Sequence, residues 1–166
     1  MKRIILGVTG GSCASDAVLL AERLTENGYE VDAILAGKAD ATLARDLERV
    51  TGRAVYGADL DENAALALAN GADLAVVAPA SAAAIARLSA GLADDLLTAT
   101  LLALSDVPVL LCPAARDRLY RNQIAQRNRR ELENLGYYFF DAPPESDRLL
   151  ERVGDMLDPE CWGAYI

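Results

Sequence analysis

Three short segments carry the residue types that could do chemistry, and each directly follows an apolar run. They are residues 9–12 (TGGS), 78–81 (APAS) and 112–116 (CPAAR). The first is glycine-rich and opens a helical pattern, so its free amides and the helix dipole suit a phosphate group. It matches neither the P-loop nor the complete dinucleotide-binding fingerprint, and an ordinary tight turn is an equally good interpretation of it alone.

The chain has no histidine, which narrows the chemistry that these segments could perform. Serine or cysteine nucleophiles activated by histidine are excluded, as are histidine-ligated zinc and iron sites. Catalysis must use carboxylates, amides, hydroxyls, thiols, arginine or a borrowed cofactor. The net charge of −9 repels phosphate backbones, so we expect no nucleic-acid partner.

The cysteines and arginines leave alternatives open. Cys13, Cys112 and Cys161 are too few and too scattered for a disulfide framework or a metal knuckle. Cys112 ends an apolar run and is predicted to be buried, whereas Cys13 lies in the glycine-rich segment, where a helix N-terminus could lower its pKa. Six arginines lie between residues 116 and 130, and they form either a solvated helix face or contacts to an anionic ligand.

The chain length predicts one domain, spanning residues 1–166, with enough apolar surface for a core of its own. No stretch approaches the ~20 consecutive apolar residues that a membrane helix needs. The basic and apolar start is also too short for a signal sequence. We therefore expect a cytoplasmic protein with no membrane partner.

Apolar runs and helical patterns alternate along the whole chain. The predicted strands cover residues 3–8, 31–36, 54–56, 73–78, 108–112 and 137–140. The predicted helices cover residues 14–27, 41–50, 62–70, 82–90, 94–104, 116–134 and 146–157. This alternation predicts an α/β fold, a Rossmann-like three-layer sandwich whose parallel sheet is covered on both faces. In that architecture ligands bind beyond the carboxyl ends of the strands, where all three segments fall.

The three segments and their flanks resemble the superfamily of flavin-containing cysteine decarboxylases, which includes phosphopantothenoylcysteine decarboxylases and lantibiotic peptidyl-cysteine decarboxylases. The stretches that carry the resemblance are ILGVTGGSCASDAV, ADLAVVAPASAAAIARLSAGLADDLLTATLLAL and VPVLLCPAARDRLYRNQIAQRN. Their order and spacing match, and the resemblance covers about residues 3–142. It implies a Rossmann-like (flavodoxin-like) domain that binds FMN at a subunit interface and assembles as a homotrimer or dodecamer.

The resemblance also implies which residues meet the cofactor and the substrate. The cofactor set that it implies is Thr9, Gly10, Gly11, Ser12, Pro79, Ala80, Ser81, Asp95, Thr98 and Ala114. Arg116 and Asp95 are the catalytic candidates. A guanidinium at a strand end, such as that of Arg116, can bind a carboxylate or phosphate through two bonds. The alternatives are that Arg116 is a surface residue paired with Asp117 or with a neighbouring subunit, and that Asp94 and Asp95 only cap the next helix.

The sequence departs from the family pattern at positions that matter for catalysis. The resemblance places the family's histidine at or near Ala65 and its two asparagines at Ala83 and Arg116. We therefore expect altered chemistry or an altered substrate, still a small-molecule or peptidyl thiol or carboxylate. Two alternatives remain open: a flavin-binding redox or electron-transfer protein, and a non-catalytic regulatory or complementing subunit.

Overall fold

Five parallel strands form the centre of the molecule. The computed structural model describes residues 1–9, 14–37, 40–113, 118–141, 143, 146–158 and 160. The strands are β1 (Arg3–Val8), β2 (Glu30–Leu35), β3 (Leu74–Ala80), β4 (Val109–Pro113) and β5 (Tyr138–Phe139). The helices are α1 (Ala14–Glu26), α2 (Ala41–Thr51), α3 (Glu62–Gly71), α4 (Ala82–Ser89), α5 (Leu96–Ala103), α6 (Gln123–Asn134) and α7 (Asp147–Leu157).

The strand order is β2-β1-β3-β4-β5, and every neighbouring pair is parallel. The chain therefore moves outward from β1 to β2, and then returns to place β3 on the other side of β1. This reversal is the topological switch point, where the carboxyl ends of adjacent strands open a crevice for ligands. The predicted α/β fold with a covered parallel sheet is confirmed.

The sheet buries an apolar core on each face. Apolar side chains of α1, α2 and α7 pack on one face, and those of α3, α4, α5 and α6 pack on the other. Gly7 of β1 lets α5 approach closely, because a Cβ at this position would lie 2.6 Å from Leu97 Cδ1. The glycine therefore allows α5 to pack directly against β1.

Several predicted elements differ from the observed ones. The predicted helix over residues 116–134 is wrong at its start: residues 118–121 form a turn, and α6 begins only at Gln123. Asn122 is extended, and its side chain accepts a hydrogen bond from the Ala125 amide at 2.9 Å, so a local cap replaces the continuing helix. The α5 helix is also shorter than predicted, because Asp95 caps it.

Three predicted strands also change. Residues 54–56 make a single bridge, in which Tyr56 pairs with Ile34 at the edge of β2. The predicted strand over residues 137–140 shortens to two residues. By contrast, β3 continues through Pro79 to Ala80, beyond the strand end predicted at residue 78. Pro79 has no amide to donate, follows a cis peptide bond, and lies where the β3–β4 register shifts.

The sequence predicts no segment that crosses a membrane. Within the described ranges, no helix is both long enough and apolar enough to span one.

Candidate functional site

The carboxyl ends of β1 and β3 are joined by the side chain of Thr9. Its hydroxyl donates a hydrogen bond to the Pro79 carbonyl at 2.7 Å and accepts one from the Ser81 amide at 2.7 Å. The Thr9 amide also donates to the Pro79 carbonyl, at 3.2 Å. Thr9 is only 3% exposed. These bonds fix the distance between the two strands at the switch point.

Ser81 begins the helix that leaves this junction. Its backbone is extended, and its hydroxyl accepts a hydrogen bond from the Ala84 amide at 3.1 Å, which makes it the N-cap of α4. Small alanine side chains follow it at positions 82–84. The first amides of a helix lack partners within the helix, and the helix dipole favours negative charge there. This end of α4 therefore offers polar backbone groups beside little side-chain bulk.

Asp95 and Thr98 form a capping box at the start of α5. Asp95 Oδ1 accepts hydrogen bonds from the Thr98 amide at 2.8 Å and from the Thr98 hydroxyl at 2.6 Å, and the Asp95 amide donates to that hydroxyl. Thr98 also borders a narrow gap between α4 and α5, together with Ala80 and Ala84. The structure therefore brings Thr98 close to the Pro79–Ser81 segment, and it gives Asp95 a structural task as a cap.

The other predicted site residues are Gly10, Gly11, Ser12, Ala114 and Arg116, and they lie outside the described residues, as do Cys13 and Cys161. Their roles stay predictions.

A second polar cluster lies past the end of β4, and sequence reasoning missed it. Arg129 of α6 donates two hydrogen bonds to the Asp141 carboxylate, Nη1 to Oδ1 at 2.7 Å and Nη2 to Oδ2 at 2.9 Å. Its Nη1 also donates to the Tyr120 hydroxyl at 2.5 Å. The sequence showed only an arginine-rich helix. The available signal was the helical periodicity, since Arg129 shares a face with the buried Ala125 and Leu132.

The family follows from a direct comparison. The model of the family described as "Flavoprotein" matches residues 1–159 of this chain. The chain belongs to the flavoprotein family. The resemblance to flavin-containing cysteine decarboxylases is thereby confirmed at the level of the family.

Two relatives of this flavoprotein are similar to it in sequence over most of its length. It is 36% identical over 166 residues to the coenzyme A biosynthesis bifunctional protein CoaBC of Vibrio cholerae serotype O1, which covers 95% of this chain and 41% of the relative. It is 35% identical over 143 residues to the probable phosphopantothenoylcysteine decarboxylase of Streptococcus mutans, covering 82% of this chain and 80% of that one. The flavoprotein thus spans about two fifths of the length of its CoaBC relatives.

Solved structures share the fold. The FMN-dependent cysteine decarboxylase SpaF is similar with a TM-score of 0.75 and 31% identity, over 84% of this chain and 83% of that chain. MrsD from Bacillus sp. HIL-Y85/54728 has a TM-score of 0.82 over 95% of this chain and 96% of its own. Its identity is 17%, so this likeness shows the fold alone.

Ala65 of the flavoprotein is a buried core residue. It lies in the middle of α3, is 3% exposed, and belongs to the apolar cluster between the sheet and helices α3 to α6. A methyl group can neither accept nor donate a proton. The position at which the resemblance expects a histidine therefore contributes packing in this chain.

Cys112 lies one residue before the end of β4 and is buried, as the apolar run predicts. Burial, with a smaller contribution from the negative charge of Asp141, raises the pKa of the Cys112 thiol to about 12. The thiolate is the nucleophilic and metal-binding form, so Cys112 is inert at neutral pH. In the described part of the chain, no three Cys, Asp or Glu side chains form a group that could hold a metal ion.

Proposed function

We propose that this flavoprotein binds FMN at the carboxyl edge of its sheet and acts with it on a substrate that carries a thiol and a carboxylate. The observation that carries the proposal is the Thr9–Pro79–Ser81 junction at the switch point. It holds the start of α4 at the crevice where this architecture binds ligands. The names of its relatives, a probable phosphopantothenoylcysteine decarboxylase and an FMN-dependent cysteine decarboxylase, supply the cofactor and the reaction class.

The described residues at this edge fit a flavin mononucleotide. The hydroxyl of Ser81 and the first amides of α4 offer polar partners, and the alanines at positions 82–84 let a flat ring approach the backbone. The dipole of α4 favours an anion at the same end. We propose that Gly10, Gly11 and Ser12 hold the phosphate, and that the ring lies against these residues: Thr9, Pro79, Ala80, Ser81, Asp95, Thr98 and Ala114.

The cofactor and the protein divide the chemistry between them. FMN, when bound, accepts the electron pair that oxidation of a thiol-bearing carbon releases. The protein orients the substrate, and we propose that Arg116 binds its carboxylate through the two parallel bonds that a guanidinium offers. Asp95, at the N-terminus of α5, is the second residue to which we assign a catalytic role. Because Ala65 provides no proton acceptor, the chemistry or the substrate differs from that of family members that have a histidine there.

We further propose that the flavoprotein is a homo-oligomer, a trimer or a dodecamer. The support is a similar solved structure, a dodecameric FMN-dependent UbiX-like decarboxylase from Escherichia coli O157:H7, with a TM-score of 0.76. A second support is the exposure of two leucines, Leu66 of α3 and Leu102 of α5, on helices that pack against each other. The compartment proposed for it is the cytoplasm.

The cofactor proposal is tested by titrating the purified protein with FMN and following the quenching of flavin fluorescence. We expect one FMN per chain and weaker binding by the Ser81→Ala variant, which loses the hydroxyl at the start of α4. Ser89→Ala is the matched control, because Ser89 lies at the other end of the same helix and its hydroxyl donates to Glu131. A protein that neither contains nor takes up flavin refutes the proposal.

The reaction is tested with two probes, phosphopantothenoylcysteine and a short peptide that ends in cysteine. Release of carbon dioxide and the matching loss of substrate mass, both dependent on FMN, support the decarboxylase proposal. Binding of FMN without turnover of either probe contradicts it and favours the electron-transfer or complementing-subunit alternatives. The Arg116→Lys variant should raise KM for both probes, because lysine cannot form the paired bonds.

A further inference from the structure

Tyr120 lies in the turn that leads from the carboxyl end of β4 into α6. Its side chain is 7% exposed and packs in the apolar cluster beneath α3 to α6. Its backbone is held as well, because Gln126 Nε2 donates a hydrogen bond to the Tyr120 carbonyl at 2.8 Å. The Asn122 side chain caps α6 and also donates to the Leu119 carbonyl. The turn over residues 118–122 is thus fastened from the helix that follows it.

Arg129 holds the phenol of Tyr120 through a hydrogen bond. The two residues are nine positions apart, and α6 carries the guanidinium back to the Tyr120 hydroxyl at 2.5 Å. All three guanidinium nitrogens are in use, because Nε donates to Glu133 Oε1 at 3.0 Å and the two Nη atoms bind the Asp141 carboxylate. The guanidinium carbon also lies 4.7 Å from the centre of the Phe139 ring.

The contacts of Arg129 with Tyr120, Phe139 and Asp141 connect the ends of two neighbouring strands, β4 and β5. Tyr120 follows β4, whereas Phe139 belongs to β5 and Asp141 comes two residues after it. Arg129 is 20% exposed, so its hydrogen bond with Asp141 is partly shielded from water, and this bond holds the pKa of Arg129 above its ordinary value. A doubly bonded guanidinium with a ring beneath it has one well-defined orientation. The Tyr120 hydroxyl therefore has one fixed place beyond β4.

We propose that Arg129 is a positioning residue that acts through Tyr120 and holds the turn over residues 118–122 in the place that the substrate requires. The inference rests on the proposed function, because it assumes that the carboxyl edge of the sheet takes the substrate. Asp141 aligns Arg129, and Arg129 aligns the tyrosine. Neither Arg129 nor Asp141 needs to touch the substrate, because other residues at the carboxyl edge are proposed to act on its thiol and carboxylate.

The experiment compares Arg129→Met, Arg129→Lys, Tyr120→Phe and the Arg129→Met/Tyr120→Phe double variant with the wild-type protein. Arg127→Met is the matched control, because Arg127 lies on the same helix and its ion pair with Glu131, at 4.0 Å, is more exposed. Three quantities are measured: the dissociation constant of FMN, the kcat and KM for the cysteine-terminated peptide, and the deuterium uptake of the segment over residues 118–122.

We expect Arg129→Met and Tyr120→Phe each to lower kcat/KM about tenfold, since small misplacements near a site have effects of this size or larger. The double variant should lose no more than the worse single variant, because both changes break the same chain of contacts. The dissociation constant of FMN should change by less than about twofold. Arg129→Lys should fall between wild type and Arg129→Met, and Arg127→Met should match wild type. Deuterium uptake over residues 118–122 should rise in Arg129→Met.

Three outcomes would contradict either the role of Arg129 or the proposed function. Unchanged deuterium uptake over residues 118–122 in Arg129→Met overturns the inference, whether or not the protein turns over the peptide. Raised uptake with an unchanged kcat/KM also overturns it, because Arg129 then stabilises the turn without serving the reaction. A wild-type protein that binds no FMN refutes the proposed function, and the uptake measurement then still decides whether Arg129 holds the turn.

Discussion

Replacing Thr9 with valine tests whether the junction between β1 and β3 depends on one hydroxyl. Valine keeps the size and branching of threonine and removes only its hydrogen bonding. The Pro79 carbonyl keeps the Thr9 amide as a partner at 3.2 Å, so the loss there is one neutral hydrogen bond, about 1 kcal/mol. The Ser81 amide loses the acceptor at 2.7 Å, which costs about 1–2 kcal/mol more for an unpaired, partly buried donor.

The summed effect on the free energy of unfolding is about 2–3 kcal/mol. For a chain of this length, that loss lowers Tm by roughly 4–12 °C. Thr100→Val is the matched control, because Thr100 is also buried and its hydroxyl donates to the Leu96 carbonyl at 2.7 Å. That carbonyl keeps its regular helical bond, so we expect the control to lose about 1 kcal/mol or less.

The assay is urea unfolding followed by circular dichroism at one fixed protein concentration, since assembly shifts apparent stability. The comparison between the two threonines carries the test. Equal losses in Thr9→Val and Thr100→Val would refute the argument that Thr9 couples the two strands. Thr9→Ser should retain most of the stability, because it keeps the hydroxyl and gives up a single buried methyl group worth about 0.8 kcal/mol.

Two more predictions concern groups outside the junction. Cys112 must stay protonated in the folded state, so its contribution to stability is complete below about pH 9, where the unfolded thiol ionises, and is lost as the pH rises toward 12. Relative to Cys112→Val, wild type should lose about 2 kcal/mol between about pH 8 and about pH 10.5 in urea unfolding, and parallel pH profiles would contradict this. Asp32 is 4% exposed and lies 2.7 Å from Arg53 Nε and 3.6 Å from Arg3 Nε. Asp32→Asn should cost about 2 kcal/mol, less than a fully buried pair because both guanidinium groups are a third exposed, and an unchanged urea midpoint would contradict this.

Much of the secondary structure could be predicted because its causes are local. Asp40 and Ser81 cap helices with their own side chains, and each accepts an amide two or three residues away. Gly52 ends α2 with a positive φ of 67°. The helix predicted before residue 123 was wrong for an equally local reason. The Asn122 side chain accepts a hydrogen bond from the Ala125 amide, so Asn122 caps α6 and does not continue a helix.

The candidate site was predictable in part. Strand ends rich in small and hydroxyl residues pointed to the carboxyl edge of the sheet, and the structure places Thr9, Pro79 and Ser81 together there. Asp95 shows the limit of the same reasoning, because the spacing to Thr98 fits a capping box as well as a catalytic role. The structure shows the capping box, and the catalytic role of Asp95 stays a prediction.

Most strand and helix positions, together with the family resemblance, followed from the sequence alone, since each depends on residues a few positions apart. Which distant groups meet became visible only in the folded chain. Thr9 bonds to partners 70 and 72 positions away, and Arg129 of α6 pairs with Asp141, which follows β5. Such pairs follow from the strand order and from how α5 and α6 pack on the sheet. No local pattern encodes these contacts, because the free energy that selects them comes from burying both faces of the sheet at once.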